Sequence, residues 1–172
     1  MSMIRIAGVV LASAVFARGV MAQEANEANE GREGKEAHQA AEVRIARSAL
    51  PAAVERAVAA NSAGATIRGF SRETDKGQTV YETEMTVNGH SKDLVVDANG
   101  TVMEIEEQVM MASLSPAVQS GLKAKAGRGR IIKIESLTKG GRLVAYEAQV
   151  RTGRRYSEIQ VGPDGGTLAH EE

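Results

Sequence analysis

Three carboxylates hold most of the chemistry this sequence offers, and they come together only through strand spacing. Glu84 sits in an alternating run, residues 81–87 (YETEMTV). If Asn88-Gly89 reverses the chain as a two-residue hairpin, Glu84 faces Asp93, and a second turn at Asn99-Gly100 sets Glu106 beside Asp93. Like charges directly opposite one another are unfavourable, so such a row suits a bound cation or a basic peptide. The competing reading is a solvated acidic face that serves solubility. Asp97-Ala98-Asn99-Gly100 has part of a calcium-loop spacing, but the hairpin turn accounts for it and the remaining ligands are missing.

Catalytic constellations are absent. There is no nucleophile elbow, no phosphate-cradling Gly loop and no HExxH, and the three His (His38, His90, His170) are scattered. The carboxylates lie on strands that read as solvent-facing, where their pKa values have little reason to move. The expectation is therefore a non-enzyme without a cofactor. A different group points to a protein partner. Tyr156 falls by strand parity on the outer sheet face opposite Arg151, with Gln149 near it, and Glu82 is on the corresponding face of the first half. Tyr and Arg are favoured interface anchors. The alternative for Tyr156 is a local bulge that turns its ring into the core.

The elements that position these groups follow from periodicity. In residues 81–87, Tyr81, Thr83, Met85 and Val87 share one face, which is the period of a half-buried strand. The Asn88-Gly89 turn pairs Val87 with His90, Thr83 with Leu94 and Tyr81 with Val96. The Asn99-Gly100 turn pairs Val96 with Met103 and Leu94 with Ile105. Adding 65 to these numbers gives a second copy, in which Tyr146 pairs with Val161 and Val161 with Leu168, with turns at Gly153-Arg154 and Asp164-Gly165. A helix precedes each meander. One follows Leu50-Pro51 and stops at Asn61 to Gly64; the other starts at Ser115-Pro116, an N-cap and N1 pair, and ends at Gly127 or Gly129. First strands at residues 67–73 and 131–137 complete each unit, with Phe70 opposite Thr83. Val43 and Ile45 suit a short edge strand. The expected fold class is α+β: a tandem repeat of one helix packed on a four-stranded antiparallel meander sheet. The first repeat covers residues 42–113 and the second 114–172.

Met1 to Ala22 reads as a signal peptide, with Arg5 before an apolar run and Val20-Met21-Ala22 as the cleavage site. A membrane anchor is the alternative. Residues 23–41 are polar and read as a disordered leader. The chain has 172 residues, a net charge of −1 and no Cys, so no disulfide staples are available. Residues 50–113 hold five Lys and Arg against ten Asp and Glu, whereas residues 114–172 hold ten against six. That asymmetry suits a patterned partner or docking between the halves. An exported chain with one free aromatic in its basic half is a poor nucleic-acid binder.

Leu50-Pro51-Ala52-Ala53-Val54, Tyr81-Glu82 and Asp97-Ala98-Asn99-Gly100, with Tyr146-Glu147 and Pro163-Asp164-Gly165-Gly166 in the second copy, resemble the PepSY-like family, grouped with the beta-lactamase-inhibitor-like fold. The resemblance spans about residues 42–172 and involves no catalytic motif. It implies tandem α+β units in a bacterial, periplasmic or secreted protein. The expected function is non-enzymatic binding of another exported protein, inhibiting or regulating a peptidase or other hydrolase through the outer sheet faces. The alternative is a small-ligand or cation-binding envelope protein.

Overall fold

The computed structural model describes residues 42–75 and 77–172. The expected signal peptide and polar leader lie outside the described residues. Eight antiparallel strands form one sheet in sequence order: β1 (Val43–Ile45), β2 (Thr66–Asp75), β3 (Gln78–Val87), β4 (His90–Asp97), β5 (Val102–Gln108), β6 (Arg130–Lys139), β7 (Arg142–Thr152) and β8 (Arg155–Val161). Helix α1 (Ala52–Asn61) precedes β2, and α2 (Pro116–Ala126) precedes β6. No helix among the described residues is long and apolar enough to cross a membrane.

The hairpin chemistry sets most of the register. Asn88 (φ 51°) and Gly89 (φ 83°) are both left-handed, as a type I′ turn demands. They pair Val87 with His90, Thr83 with Leu94 and Tyr81 with Val96. Gly140 and Gly141 make the equivalent turn between β6 and β7. Ser115 caps α2 by accepting a hydrogen bond from the Val118 N–H, and Pro116 follows it. The expected Phe70–Thr83 and Tyr146–Val161 pairs are present.

Both helices lie on one face of the sheet. Val54 and Val58 of α1 pack on Phe70, Tyr81, Met85, Leu94 and Val96. Val118 and Leu122 of α2 pack on Ile134, Ala148 and Val161, with Tyr146 at the margin. Parity carries across the centre of the sheet, because Leu94 faces Ile105, Ile105 faces Thr138, and Ile134 shares Thr138's side of β6.

One turn glycine fits closely against the start of each helix. A Cβ on Gly100 would lie 2.7 Å from the Ala53 carbonyl oxygen at the start of α1. A Cβ on Gly165 would collide with the Ala117 carbonyl at the start of α2. Both residues have positive φ, so glycine is required there for backbone and packing reasons together.

Three sequence expectations are corrected. The tandem four-stranded repeat is not found as such: the strands form one sheet, with β2 to β5 a four-stranded meander after α1 but only three strands after α2. Leu168 is in no strand and does not pair with Val161. Strand β5 lies beside β6 and joins the halves through Glu104–Lys139 to Gln108–Glu135. Val96 pairs with Val102 rather than Met103. The reason is turn chemistry: the Asp97 carboxylate accepts from the Asn99 and Thr101 N–H groups, and the Gly100 N–H bonds back to Asp97. The turn is therefore longer than a two-residue Asn-Gly hairpin, and a bulge follows. Met103 is left exposed, and Val102 packs on the first core instead.

Candidate functional site: the helix-free face of the sheet

The face opposite the helices is built by alternate residues of all eight strands. The expected row is in place, with Glu84 opposite Asp93 and Asp93 opposite Glu106. Neighbouring rows hold Ser71–Glu82–Val95–Glu104–Lys139 and Gln108–Glu135–Glu147–Gln160. The face is far from the solvated surface expected of it. Glu82, Glu104, Glu106, Glu135 and Gln160 are buried, as are Val80, Val95, Leu137 and Ala145 around them. Sequence parity placed these groups correctly but could not show how much water they lose.

That loss of water overturns the expectation of unperturbed carboxylates. Burial, reinforced by Glu135, Glu104, Glu147 and Asp93, pushes Glu106 up to about 10. Burial and the Asp93 charge push Glu82 up to about 7. Burial raises Glu147 to about 7 despite the hydrogen bond from Gln160, and burial with Glu135 raises Asp93 to about 6. Burial also raises Glu104, although Lys139 at 3.4 Å works against it.

Polar partners hold the rest of the face in order. Arg44 takes Glu84 out of the acidic row, with an ion pair at 3.0 Å. Lys133 lies 2.6 Å from Glu135, and the Ser91 hydroxyl donates to Glu135 at 3.1 Å. Burial opposes the charge on Lys133, but the Glu135 hydrogen bond and the surrounding carboxylates raise its pKa overall. The Ser71 hydroxyl donates to Glu82, Gln160 donates to Glu147, and the Glu172 N–H donates to Gln160. The carboxylate oxygens of Asp93, Glu106 and Glu135 lie within 4.8 Å of one another. The strand-register argument found the first two of these. It missed Glu135, because that required the β5–β6 seam, for which no turn gives a signal.

The residues expected to meet a partner divide in two. Tyr156 is opposite Arg151 with no bulge between β7 and β8, and it is 52% exposed, so the inward-turned ring is ruled out. Gln149 is two residues along the same face, opposite Glu158. Glu82 shares the face but lies on β3, four strands from β7, about 19 Å away at ordinary strand spacing. It is buried, so it belongs with the carboxyl group and not with the exposed β7–β8 corner.

The fold is one seen before. A BLIP-like protein of Bacteroides fragilis superposes with a TM-score of 0.53 at 18% identity, covering 71% of this chain and 85% of that one. A Bacteroides eggerthii protein ascribed to the periplasm gives 0.57 at 16% identity, over 71% and 88%. A DUF2874 family protein of Bacteroides uniformis gives 0.55 at 17% identity, over 70% and 87%. At these identities the likeness is one of fold, and the fold is BLIP-like. No family model and no curated protein matches the chain.

Proposed function

We propose that this is an exported, non-enzymatic binding protein that receives another exported protein at the exposed β7–β8 corner of the helix-free face of its sheet. The observation that carries the reading is the segregation of the two helices to one face. The other face is left with a polar cluster, bordered at β7 and β8 by the exposed Tyr156 and Arg151. An exposed sheet corner carrying an aromatic and an Arg suits a protein partner better than a small substrate. The partner class is a peptidase or other hydrolase, held or regulated by this face, in keeping with the PepSY-like resemblance and the BLIP-like fold. The test is capture of exported proteins by the immobilised chain, followed by assay of the captured protein. A hydrolase whose activity changes on binding supports the reading; capture of none refutes it.

A second reading rests on the convergence of Asp93, Glu106 and Glu135, a geometry open to a divalent cation. Calcium titration of wild type against an Asp93→Asn, Glu106→Gln variant separates the two readings. A melt raised by calcium in wild type alone favours the cation. Identical responses remove it.

A further inference from the structure

The end of the sheet where β6 begins and β7 turns into β8 collects cations. Residues 126–134 and 149–157 hold Arg128, Arg130, Lys133, Arg151, Arg154 and Arg155, and no Asp or Glu. The five Arg are all exposed. Arg130 is opposite Arg151, and Arg151 is opposite Tyr156, so these three form one row across the helix-free face. A Cβ on Gly129 would collide with Val150 and lie 2.8 Å from the Thr152 hydroxyl, so the stretch carrying Arg128 is pressed against the end of β7. We infer, on the reading that this corner seats the partner, that the partner meets it with an acidic protein segment. Its carboxylates lie on the Arg130–Arg151 row, and an apolar residue lies against Tyr156 and Ile132.

The chain neutralises little of this charge. Like charges directly opposite one another are unfavourable, and Arg130 and Arg151 have Cα atoms about 5 Å apart. Lys133 has Glu135 at 2.6 Å. Glu158 is engaged within the chain, and it brings one negative charge to five Arg. The Arg151 Nε donates to the Gly153 carbonyl, a neutral group. Most of the guanidinium charge is left for a partner. Guanidinium groups take carboxylates through paired hydrogen bonds and keep their charge at any working pH.

A protein surface fits this corner better than a lipid one. The hairpin tip, Thr152-Gly153-Arg154-Arg155, has no apolar side chain to enter a bilayer. The exposed apolar groups stand within strands: Tyr156 on β8, and Ile132 as the extra residue of the β6 bulge between Ile131 and Lys133. In a protein interface an aromatic and an aliphatic group ringed by Arg make an anchoring centre. Gln149 is neutral and half-buried, one row inward from Arg151, so added bulk there lifts a partner off the Arg row whatever its charge.

The probe is a labelled peptide of glutamates around one leucine, with its glutamine counterpart as control, titrated into the full-length chain by fluorescence anisotropy. Wild type is expected to bind the glutamate peptide alone, with affinity falling as salt rises. Arg130→Glu and Arg154→Glu are each expected to weaken binding about tenfold. Arg56→Glu, the same charge change at an exposed site of α1, is expected to bind as wild type. Arg130→Glu sets opposite charges face to face with Arg151, so it is expected to melt no lower than wild type, which separates lost binding from lost folding. Equal binding of both peptides, equal losses from Arg56→Glu and Arg130→Glu, or tighter binding to phosphatidylglycerol vesicles than to the peptide would each overturn the acidic partner. An exported protein captured by both Arg→Glu variants but not by Tyr156→Ala would also overturn it, while leaving the corner as the seat. Peptide bound as expected with no exported protein captured upholds the acid preference and removes the exported protein as partner.

Discussion

Asp93 and Glu106 face each other across the β4–β5 ladder, and both lean toward Glu135 on β6 until their oxygens lie within 4.8 Å. The three residues come from strands on both sides of α2, so the carboxyl cluster straddles the seam where the two halves of the sheet join. Burial and the neighbouring carboxylates favour the protonated forms of Glu106 and Asp93 at this seam. A group that must ionise there repels its neighbours in surroundings that screen the charge poorly.

Stability is expected to fall with rising pH. Glu106 titrates near 10, Glu82 and Glu147 near 7, and Asp93 near 6 in the folded chain, all above their ordinary values. The native state thus holds these protons more tightly than the unfolded chain. Unfolding free energy declines from about pH 4.5 upward, through about 7 and on toward 10. Glu106→Gln removes the steepest part. Thermal melts are expected to match wild type near pH 4.5 and to show a variant more stable by several kcal/mol, on the order of 5, near pH 8. A variant less stable at both values would assign Glu106 a structural role as an anion.

Thr83 is wholly buried beneath α1, and its hydroxyl oxygen has no hydrogen-bond partner. An unmet hydroxyl in an apolar core costs about 1–3 kcal/mol of desolvation. Thr83→Val keeps the shape and is expected to raise stability in chemical denaturation by about 1 kcal/mol, with an unchanged m-value.

Gly165→Ala is expected to destabilise by more than about 2 kcal/mol, because it combines a positive φ with a collision against the Ala117 carbonyl. Gly64→Ala, also at positive φ but with open space around it, is the matched control and is expected to lose only about 1 kcal/mol. Equal losses at the two sites would show that backbone strain alone sets the effect.

Tyr156 is half-exposed and lies in neither core cluster. Tyr156→Ala is expected to change folding stability by less than about 0.5 kcal/mol, as for other surface sites, while weakening partner capture. A loss of several kcal/mol would place the ring in the core.

Local chemistry was legible in the sequence and distant pairing was not. Asn88-Gly89 dictated the β3–β4 register, and Ser115-Pro116 the start of α2, since each signal is confined to neighbouring residues. The outward Tyr156 followed from parity alone. Misreadings arose where one local signal competed with another, or where none existed. Asp97 caps its own turn and shifted β5, displacing Met103. The β5–β6 seam joins strands separated by a whole helix, with no turn to announce it. That seam decides that Glu135 completes the cluster.

The central claim is that the helix-free face is the binding surface, and capture measured for face-specific variants tests it most directly. Gln149→Arg and Arg151→Ala alter that face near its exposed corner, whereas Lys125→Ala alters the exposed end of α2 on the opposite side. The expected result is one exported protein retained by wild type and by Lys125→Ala, and lost from both face variants while their melts stay unchanged. Retention by all three variants, or loss from Lys125→Ala alone, would contradict the account.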